Sequence, residues 1–231
     1  MSKAVKVFDN ISDLARDLAE KLQRISQKEV SIALSGGSTP ARVYDEIVQK
    51  MLPLNWANIQ VFWSDERCVA PDHHESNYLM TKNHLLNHIA IPEENIFRVK
   101  GEEEPQQESL RYGSLITSKV GTEAQFDLII LGMGSDGHTA SIFPGEQHLW
   151  ESKNLCEVGK NPETQQLRIT FTGTLINKAK EVIFLVTGSS KSKVVGEIIN
   201  ESKEGHNYPA AWVHAEKITW YIDKEAASDI K

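Results

Sequence analysis

A carboxylate and an imidazole stand two residues apart in the segment Asp136-Gly-His138, on the loop that follows the most hydrophobic predicted strand, residues 127–131. Histidine titrates near neutral pH, which suits it to accept and return a proton. A neighbouring carboxylate can fix the tautomer of the imidazole and stabilise its charged form. The alternative is an Asp-Gly turn carrying a solvated histidine. The position after a buried strand favours a catalytic pair, although spacing alone does not establish contact between the two side chains.

A glycine-rich segment, Ser35-Gly-Gly-Ser-Thr39, follows the short apolar run of residues 30–34 and precedes a predicted helix with Pro40 in its first turn. Glycines let a ligand approach the backbone, and a helix N-terminus offers free N–H groups with partial positive charge. A Walker loop is excluded because no Gly-Lys-Ser/Thr follows. The segment fits a phosphate or oxyanion cradle and, equally well, a tight turn; the cradle residues are Gly36, Gly37, Ser38 and Thr39.

Positive charge is supplied by Arg67 and Lys191, each of which follows a predicted strand. Either one alone is typical of a protein surface. Together, at strand ends opposite a glycine loop, they form a candidate anion clamp. Arg168 lies within the apolar segment Leu-Arg-Ile-Thr, where a charge needs a partner. Its side chain faces either the ligand or an outer face of the sheet.

The segment Gly132-Met-Gly-Ser-Asp-Gly137 matches the Gly-x-Gly-x-x-Gly pattern of dinucleotide-binding proteins. That fingerprint needs a long helix next and then a second buried strand that ends in an acidic residue. Here Pro144-Gly145 interrupts the chain, and the residues around Glu157 predict no buried strand. We therefore expect no nicotinamide cofactor.

Other reactive side chains carry weaker signals. His73, His74, His84 and His88 suggest metal ligation, but no His-Glu-x-x-His occurs, so we expect no metal site. Cys68 adjoins Arg67, which can lower the pKa of a thiol. No sequence-level partner identifies Cys68 as a nucleophile, and a structural thiol is the better interpretation.

Predicted helices and strands alternate along the chain, which is typical of a mostly parallel sheet with helices on both faces. The predicted strands cover residues 30–34, 59–63, 96–99, 127–131, 167–172, 181–186 and 220–222, and the predicted helices cover 11–25, 76–86, 104–120, 194–200 and the segment that begins near Pro40. In such sheets ligands bind outside the carboxyl ends of the strands. If the relevant strands are neighbours, four loops meet in one cleft: 35–39, 64–67, 132–138 and 187–191.

The chain has 231 residues and a net charge of −7. This length fits a single α/β domain over residues 1–231. The acidic balance argues against nucleic-acid binding, and no apolar run approaches the ~20 residues of a membrane span. An early acidic residue, Asp9, disfavours a secretory signal, and the only two cysteines, Cys68 and Cys156, favour a reducing cytoplasm.

Several segments together resemble the glucosamine-6-phosphate isomerase/6-phosphogluconolactonase family, and specifically its lactonases. The most specific one is Asp136-Gly-His-Thr-Ala-Ser-Ile-Phe-Pro144, in which Ile142 stands where Leu is usual. The others follow the family's order along nearly the whole chain: Leu34-Ser-Gly-Gly-Ser-Thr-Pro40, Trp63-Ser-Asp-Glu-Arg67 with Ser76-Asn77, Arg168-Ile-Thr-Phe-Thr172, Gly188-Ser-Ser-Lys191, Pro209-Ala-Ala211 and Trp220.

The resemblance implies a three-layer Rossmann-like fold of the type shared with glucosamine-6-phosphate deaminase and ribose-5-phosphate isomerase. It implies hydrolysis of 6-phospho-D-glucono-1,5-lactone to 6-phosphogluconate in the oxidative pentose phosphate pathway, with neither metal nor organic cofactor. By this analogy His138 is the base, Asp136 is its partner, and Arg67 and Lys191 bind the phosphate. Gly134 and Arg168 join the cradle residues in the expected substrate site.

Two alternatives remain at this stage: a deaminase of the same superfamily and a sugar-phosphate-binding module without catalysis. The deaminase pattern carries a Glu after Asp-Gly-His that this chain lacks, since it continues with residues 139–144 as Thr-Ala-Ser-Ile-Phe-Pro. We expect a cytoplasmic monomer or small homo-oligomer. Because a phosphate ester and the protein are both negative, binding must depend on a local positive cleft rather than on long-range attraction.

Overall fold

Six parallel strands form the central sheet of the computed structural model, which describes residues 2–50 and 53–231. Met1, Met51 and Leu52, which the predicted domain includes, lie outside the described residues. Numbered along the chain, the strands are β1 (Ser2–Phe8), β2 (Val30–Leu34), β3 (Ile59–Trp63), β4 (Asp65–Arg67), β5 (Leu128–Leu131), β6 (Cys156–Lys160), β7 (Leu167–Phe171), β8 (Glu181–Val186) and β9 (Lys217–Asp223).

The order of strands in the central sheet is β1-β9-β8-β5-β2-β3, with every pair parallel. Strands β2, β5 and β8 are almost entirely buried, which explains why their sequences read as continuous apolar runs. A second sheet is antiparallel, with the order β4-β7-β6. The α/β architecture with a mostly parallel central sheet is the one predicted.

The described residues form seven α-helices, together with short 3₁₀ turns: α1 (Ile11–Ile25), α2 (Ser38–Lys50), α3 (Asn77–His84), α4 (Pro105–Val120), α5 (Gln147–Glu151), α6 (Gly173–Asn177) and α7 (Ser192–Ile199). Their ends follow the capping rules, since Asn10, Ser76 and Glu104 each accept a backbone N–H in the first turn of α1, α3 and α4. Among the described helices, none combines the length and the apolarity needed to span a membrane.

Two local expectations are wrong. Residues 96–99 form no strand, since Ile96 makes only an isolated bridge with Val61. The chain then turns towards α4, where the Tyr112 hydroxyl donates to the Phe97 carbonyl at 3.0 Å and the Glu108 carboxylate accepts from the Lys100 N–H at 2.7 Å.

The region around Glu157, expected to contain no buried strand, is β6, in which Cys156 and Gly159 are buried. It pairs antiparallel with β7, outside the central sheet. A dinucleotide fold would need a second parallel strand at this point. The correction to the strand assignment therefore leaves the rejection of a dinucleotide site unchanged.

Phe62 of β3 lies at the centre of an aromatic cluster in the hydrophobic core. It is fully buried, and its ring centroid is 4.8 Å from that of Phe97 and 5.2 Å from that of Phe126. We expect Phe62→Ala to lower the free energy of unfolding by about 3–5 kcal/mol, because it leaves a cavity in a packed core. Urea denaturation measures this change. Leu110→Ala is the control, since Leu110 is 57% exposed; an equal loss in both variants would contradict the prediction.

Candidate active site

The carboxyl ends of four adjacent strands, β8, β5, β2 and β3, open onto one cavity of about 240 Å³. Because these strands are parallel neighbours, the loops that follow them meet at the same edge of the sheet. All but one of the predicted site residues line this cavity: Gly36, Gly37, Ser38, Thr39, Arg67, Gly134, His138, Arg168 and Lys191. The exception, Asp136, lies behind His138 and contacts its ring.

The glycine loop needs both of its glycines. A Cβ on Gly36 would overlap the side-chain amide of Asn77, which lines the cavity beside it, and Gly37 has a φ of +107°. Within the described chain the N–H groups of Gly36 and Gly37 donate to no protein acceptor. Helix α2 begins at Ser38, and the Thr39 hydroxyl lies 2.8 Å from that of Thr187, which ties the loop to the end of β8. The loop therefore presents free N–H donors at a helix N-terminus.

The His138 ring contacts the Asp136 carboxylate, with 2.6 Å between Nδ1 and Oδ1. The backbone N–H of His138 donates to the same oxygen at 3.2 Å, and the ring packs against Phe143. A Cβ on Gly134 would overlap both members of the pair, so glycine is required there. The Gly134 N–H donates to the His138 carbonyl at 2.9 Å. Gly134 thus shapes the site and has no N–H left for a ligand.

Two opposing effects set the pKa of the Asp136 carboxyl. Partial burial raises this pKa, but the hydrogen bond and charge of His138 outweigh burial and leave the pKa below its usual value. The carboxylate is therefore ionised at neutral pH and accepts a proton-bearing Nδ1. That tautomer leaves the lone pair of His138 on Nε2, free to act as a base.

Arg67 and Arg168 stand directly opposite each other in the antiparallel pair β4–β7. Like charges in this position repel, and burial followed by the charge of Arg67 lowers the pKa of Arg168. Both Nε atoms are buried, and neither has a hydrogen-bond partner among the described residues. Two guanidinium groups in this state form a strong site for an anion with several oxygens.

A buried carboxylate, Glu66, holds Arg67 in place. It accepts from the backbone N–H groups of Arg67, Asn77 and Tyr78 at 2.8, 2.7 and 2.8 Å and from the Ser76 hydroxyl at 3.0 Å. Burial raises the pKa of Glu66, and these hydrogen bonds oppose that effect. The same contacts fix the N-terminus of α3 against β4.

Arg67 and Arg168 also have polar neighbours that orient them. Arg67 Nη1 donates to the Glu75 carbonyl at 2.6 Å, and Arg168 Nη1 lies 3.5 Å from the Ser141 hydroxyl. That hydroxyl donates to the buried Asp65 carboxylate at 2.7 Å. Sequence reasoning did not single out Glu66, Asp65 or Ser141, although all three lie within the segments that carry the family resemblance.

Lys191 supplies the third cation, from a 3₁₀ turn after β8. Burial lowers the pKa of Lys191, and the charge of Asp136 partly offsets this effect. Lys191 and His138 line the same cavity. In the described part of the chain, Arg67, Arg168 and Lys191 form no ion pair within 4.0 Å. The cavity thus brings three cationic side chains together on a protein of net charge −7.

The remaining candidates lie elsewhere. His84 pairs with Asp45 at 2.8 Å, and His88 Nε2 contacts the Asn83 carbonyl at 2.9 Å, both outside the cavity. Burial, followed by the charge of Glu66, raises the pKa of Cys68 to about 11. A thiol with that pKa is protonated at neutral pH, which fits a structural role.

The family model for glucosamine-6-phosphate isomerases/6-phosphogluconolactonase matches residues 8–220. A 6-phosphogluconolactonase of Aggregatibacter actinomycetemcomitans is 42% identical over 200 residues, 85% of either chain, and one of Nostoc sp. is 36% identical over 100% of this chain and 99% of its own. The solved 6-phosphogluconolactonase of Thermotoga maritima has a TM-score of 0.84 and 28% identity, covering 96% of this chain and 100% of the other. The fold is shared with a solved monomeric glucosamine-6-phosphate deaminase, which has a TM-score of 0.84 and 22% identity. The match covers 98% of this chain and 99% of the deaminase chain.

We expect inorganic phosphate to bind this cavity and to raise the Tm of the protein, because a ligand of the native state stabilises it. Arg168→Ala should weaken phosphate binding by about tenfold or more, because the variant loses the charge-assisted hydrogen bonds of the guanidinium group. Calorimetric titration measures the affinity. Arg98→Ala is the matched control, since Arg98 is held by Glu102 at 2.6 and 2.9 Å outside the cavity. Equal affinity in the Arg168 and Arg98 variants would contradict the assignment.

Proposed function

Because the chain belongs to the glucosamine-6-phosphate isomerase/6-phosphogluconolactonase family, we propose that it is a 6-phosphogluconolactonase, a hydrolase that converts 6-phospho-D-glucono-1,5-lactone to 6-phospho-D-gluconate in the oxidative pentose phosphate pathway. The observation that carries this proposal is that His138, paired with Asp136, shares one cavity with cations that have no carboxylate partner among the described residues. A lactone that carries a phosphate needs both: a base for the ester and positive charge for the phosphate.

The substrate phosphate carries about two negative charges near pH 7. Arg67, Arg168 and Lys191 supply the opposing charge from the lining of the cavity. The buried Nε atoms of the two arginines support this role, since buried donors without partners are rare in native proteins. Phosphate binding also relieves the repulsion between the two guanidinium groups.

Hydrolysis begins when Nε2 of His138 removes a proton from water and the resulting hydroxide attacks the lactone carbonyl carbon. Asp136 holds the ring in the required tautomer and stabilises the imidazolium. Negative charge develops on the carbonyl oxygen, where backbone N–H groups of a glycine loop stabilise it. The ring C–O bond then breaks, and His138 returns its proton to the leaving oxygen.

Backbone donors for the oxyanion come from the Gly36–Gly37 segment in this proposal, because the N–H of Gly134 is already engaged by the His138 carbonyl. Gly134 contributes the space that lets the His138–Asp136 pair form. No step uses a metal or an organic cofactor. We propose one catalytic domain over residues 1–231 that works in the cytoplasm as a monomer or small homo-oligomer.

A deaminase acting on glucosamine 6-phosphate is the second candidate within the superfamily. That reaction moves a proton at carbon and opens an amino sugar, which needs a carboxylate base. Residues 139–144, Thr-Ala-Ser-Ile-Phe-Pro, offer no such base. Parallel assays with the lactone, measured above its spontaneous hydrolysis, and with glucosamine 6-phosphate distinguish the two enzymes. A protein that binds phosphate but acts on neither substrate would be the non-catalytic module.

We expect His138→Ala to lower kcat for the lactone by about 10²–10⁴-fold, the contribution of a general base, with KM changed little and the circular dichroism spectrum retained. Steady-state kinetics measures both constants. The matched control is His84→Ala, which removes another histidine paired with a carboxylate but outside the cavity. A kcat within about twofold of wild type in the His138 variant would exclude His138 as the base.

Asp136→Asn should lower kcat by up to about 10⁴-fold, while KM stays close to the wild-type value. The new amide can donate to Nδ1 of His138, and this favours the tautomer that has its lone pair on Nδ1 and its proton on Nε2, so Nε2 can no longer act as the base. Asp45→Asn, which alters the histidine–carboxylate pair outside the cavity, should leave both constants unchanged. If the two variants behave alike, Asp136 has no part in orienting the base.

A further inference from the structure

Two histidines and a glutamate, His73, His74 and Glu75, cluster in the turn between β4 and α3. Each offers a ligand atom, and these atoms all lie within 4.8 Å of one another. His73 Nδ1 is 3.8 Å from the Glu75 carboxylate, and the two imidazole rings are 4.3 Å apart between centroids. The cluster belongs neither to the His138–Asp136 pair nor to the lining of the substrate cavity.

We propose that His73, His74 and Glu75 bind a zinc ion at the rim of the substrate cavity. Two imidazoles and one carboxylate are donors that Zn²⁺ prefers, whereas Mg²⁺ and Ca²⁺ select oxygen. Zinc bonds of about 2.0–2.2 Å place tetrahedral ligand atoms roughly 3.3 Å apart. The present separations reach that value by small rotations of side chains that are half-buried or exposed. The fourth position remains open to water.

The turn is already ordered for this role. The Glu75 N–H donates to His73 Nδ1 at 3.3 Å, a long contact that keeps the His73 ring beside Glu75 and that a metal on Nδ1 would replace. Gln166 donates to the Glu75 carboxylate at 3.0 Å, and Arg67 donates to the Glu75 carbonyl. A carboxylate fixed by such an outer contact loses little freedom when it binds a metal.

This geometry departs from the expectation of no metal site, which depended on the absence of His-Glu-x-x-His. That motif places ligands on one helix face, but consecutive residues in a turn bring donors together without it. His84 and His88, which do have helical spacing, are engaged by Asp45 and by the Asn83 carbonyl instead.

Zinc at this site acts on the substrate through charge. Glu75 contacts Arg67 directly through its carbonyl, so the ion adds positive charge beside the arginine pair. We expect saturating Zn²⁺ to lower KM for the phosphorylated lactone by about two- to fivefold, with kcat unchanged. This kinetic effect rests on the proposed function; zinc binding does not.

Calorimetric titration of the full chain with ZnCl₂ tests the binding. We expect one site in the wild type and a loss of affinity of about tenfold or more in His74→Gln, which removes one of three ligands. His84→Gln is the matched control and should bind as the wild type does. His138→Ala should also retain the site, which separates it from zinc held by the catalytic pair. Equal affinity in His74→Gln and wild type would overturn the proposal.

Kinetics with and without Zn²⁺ tests the link to the cavity. The expected result is a lower KM in the wild type and no response in His74→Gln. If zinc binds through His74 but KM does not fall, the coupling through Arg67 is wrong and the metal site stands. If no lactone is hydrolysed under any condition, the proposed function fails, while the calorimetric result still decides the metal site.

Discussion

The site depends on one buried carboxylate. Glu66 accepts hydrogen bonds from β4, from the Ser76 hydroxyl and from the first turn of α3, and so joins a strand to a helix N-terminus where partial positive charge favours an anion. Glu66 thereby fixes the backbone at Arg67 relative to α3, while the β4–β7 pairing places Arg67 opposite Arg168. The Glu75 carbonyl then orients the guanidinium group of Arg67, and the Asp65 carbonyl accepts from the amide of Asn77, which lies beside Gly36.

The two arginines keep their full positive charge because the nearby carboxylates, Asp65 and Glu66, are hydrogen-bonded to other groups rather than to the guanidinium groups. Asp65 is engaged by Ser141 and Glu66 by backbone donors, so neither neutralises Arg67 or Arg168 in an ion pair. The acidic chain thus keeps its cationic cleft free for a ligand. A net charge of −7 and the proposed recognition of a phosphate are compatible because the electrostatics of the site are local.

Sequence reasoning predicted the parallel strands and the loops between them well, since buried runs such as β5 and β8 have unambiguous apolar patterns. It missed β1 because nearly every side chain of that strand is exposed and no alternation of burial marks it. The antiparallel sheet was also missed, because three-residue β4 is too short to leave a pattern. The role of Glu66 was not predicted for a different reason: its carboxylate accepts hydrogen bonds from residues ten or more positions away along the chain, and the sequence does not show which residues those are.

Strand β1 pairs with β9 along its whole length, so Ser2 lies against Lys217 and Phe8 against Asp223. Of the pairs in the central sheet, β1–β9 joins the residues that are farthest apart along the chain, so β1 is synthesised long before its neighbour. Until β9 is made, β1 has no partner in the sheet, and the β9 side of β8 stays open as well. Contacts so distant in sequence slow folding, and an unpaired edge invites association with other chains. The pairing of β1 with β9 is thus a late step in completing the sheet, while β2, β3 and β5 with the glycine loop can assemble earlier.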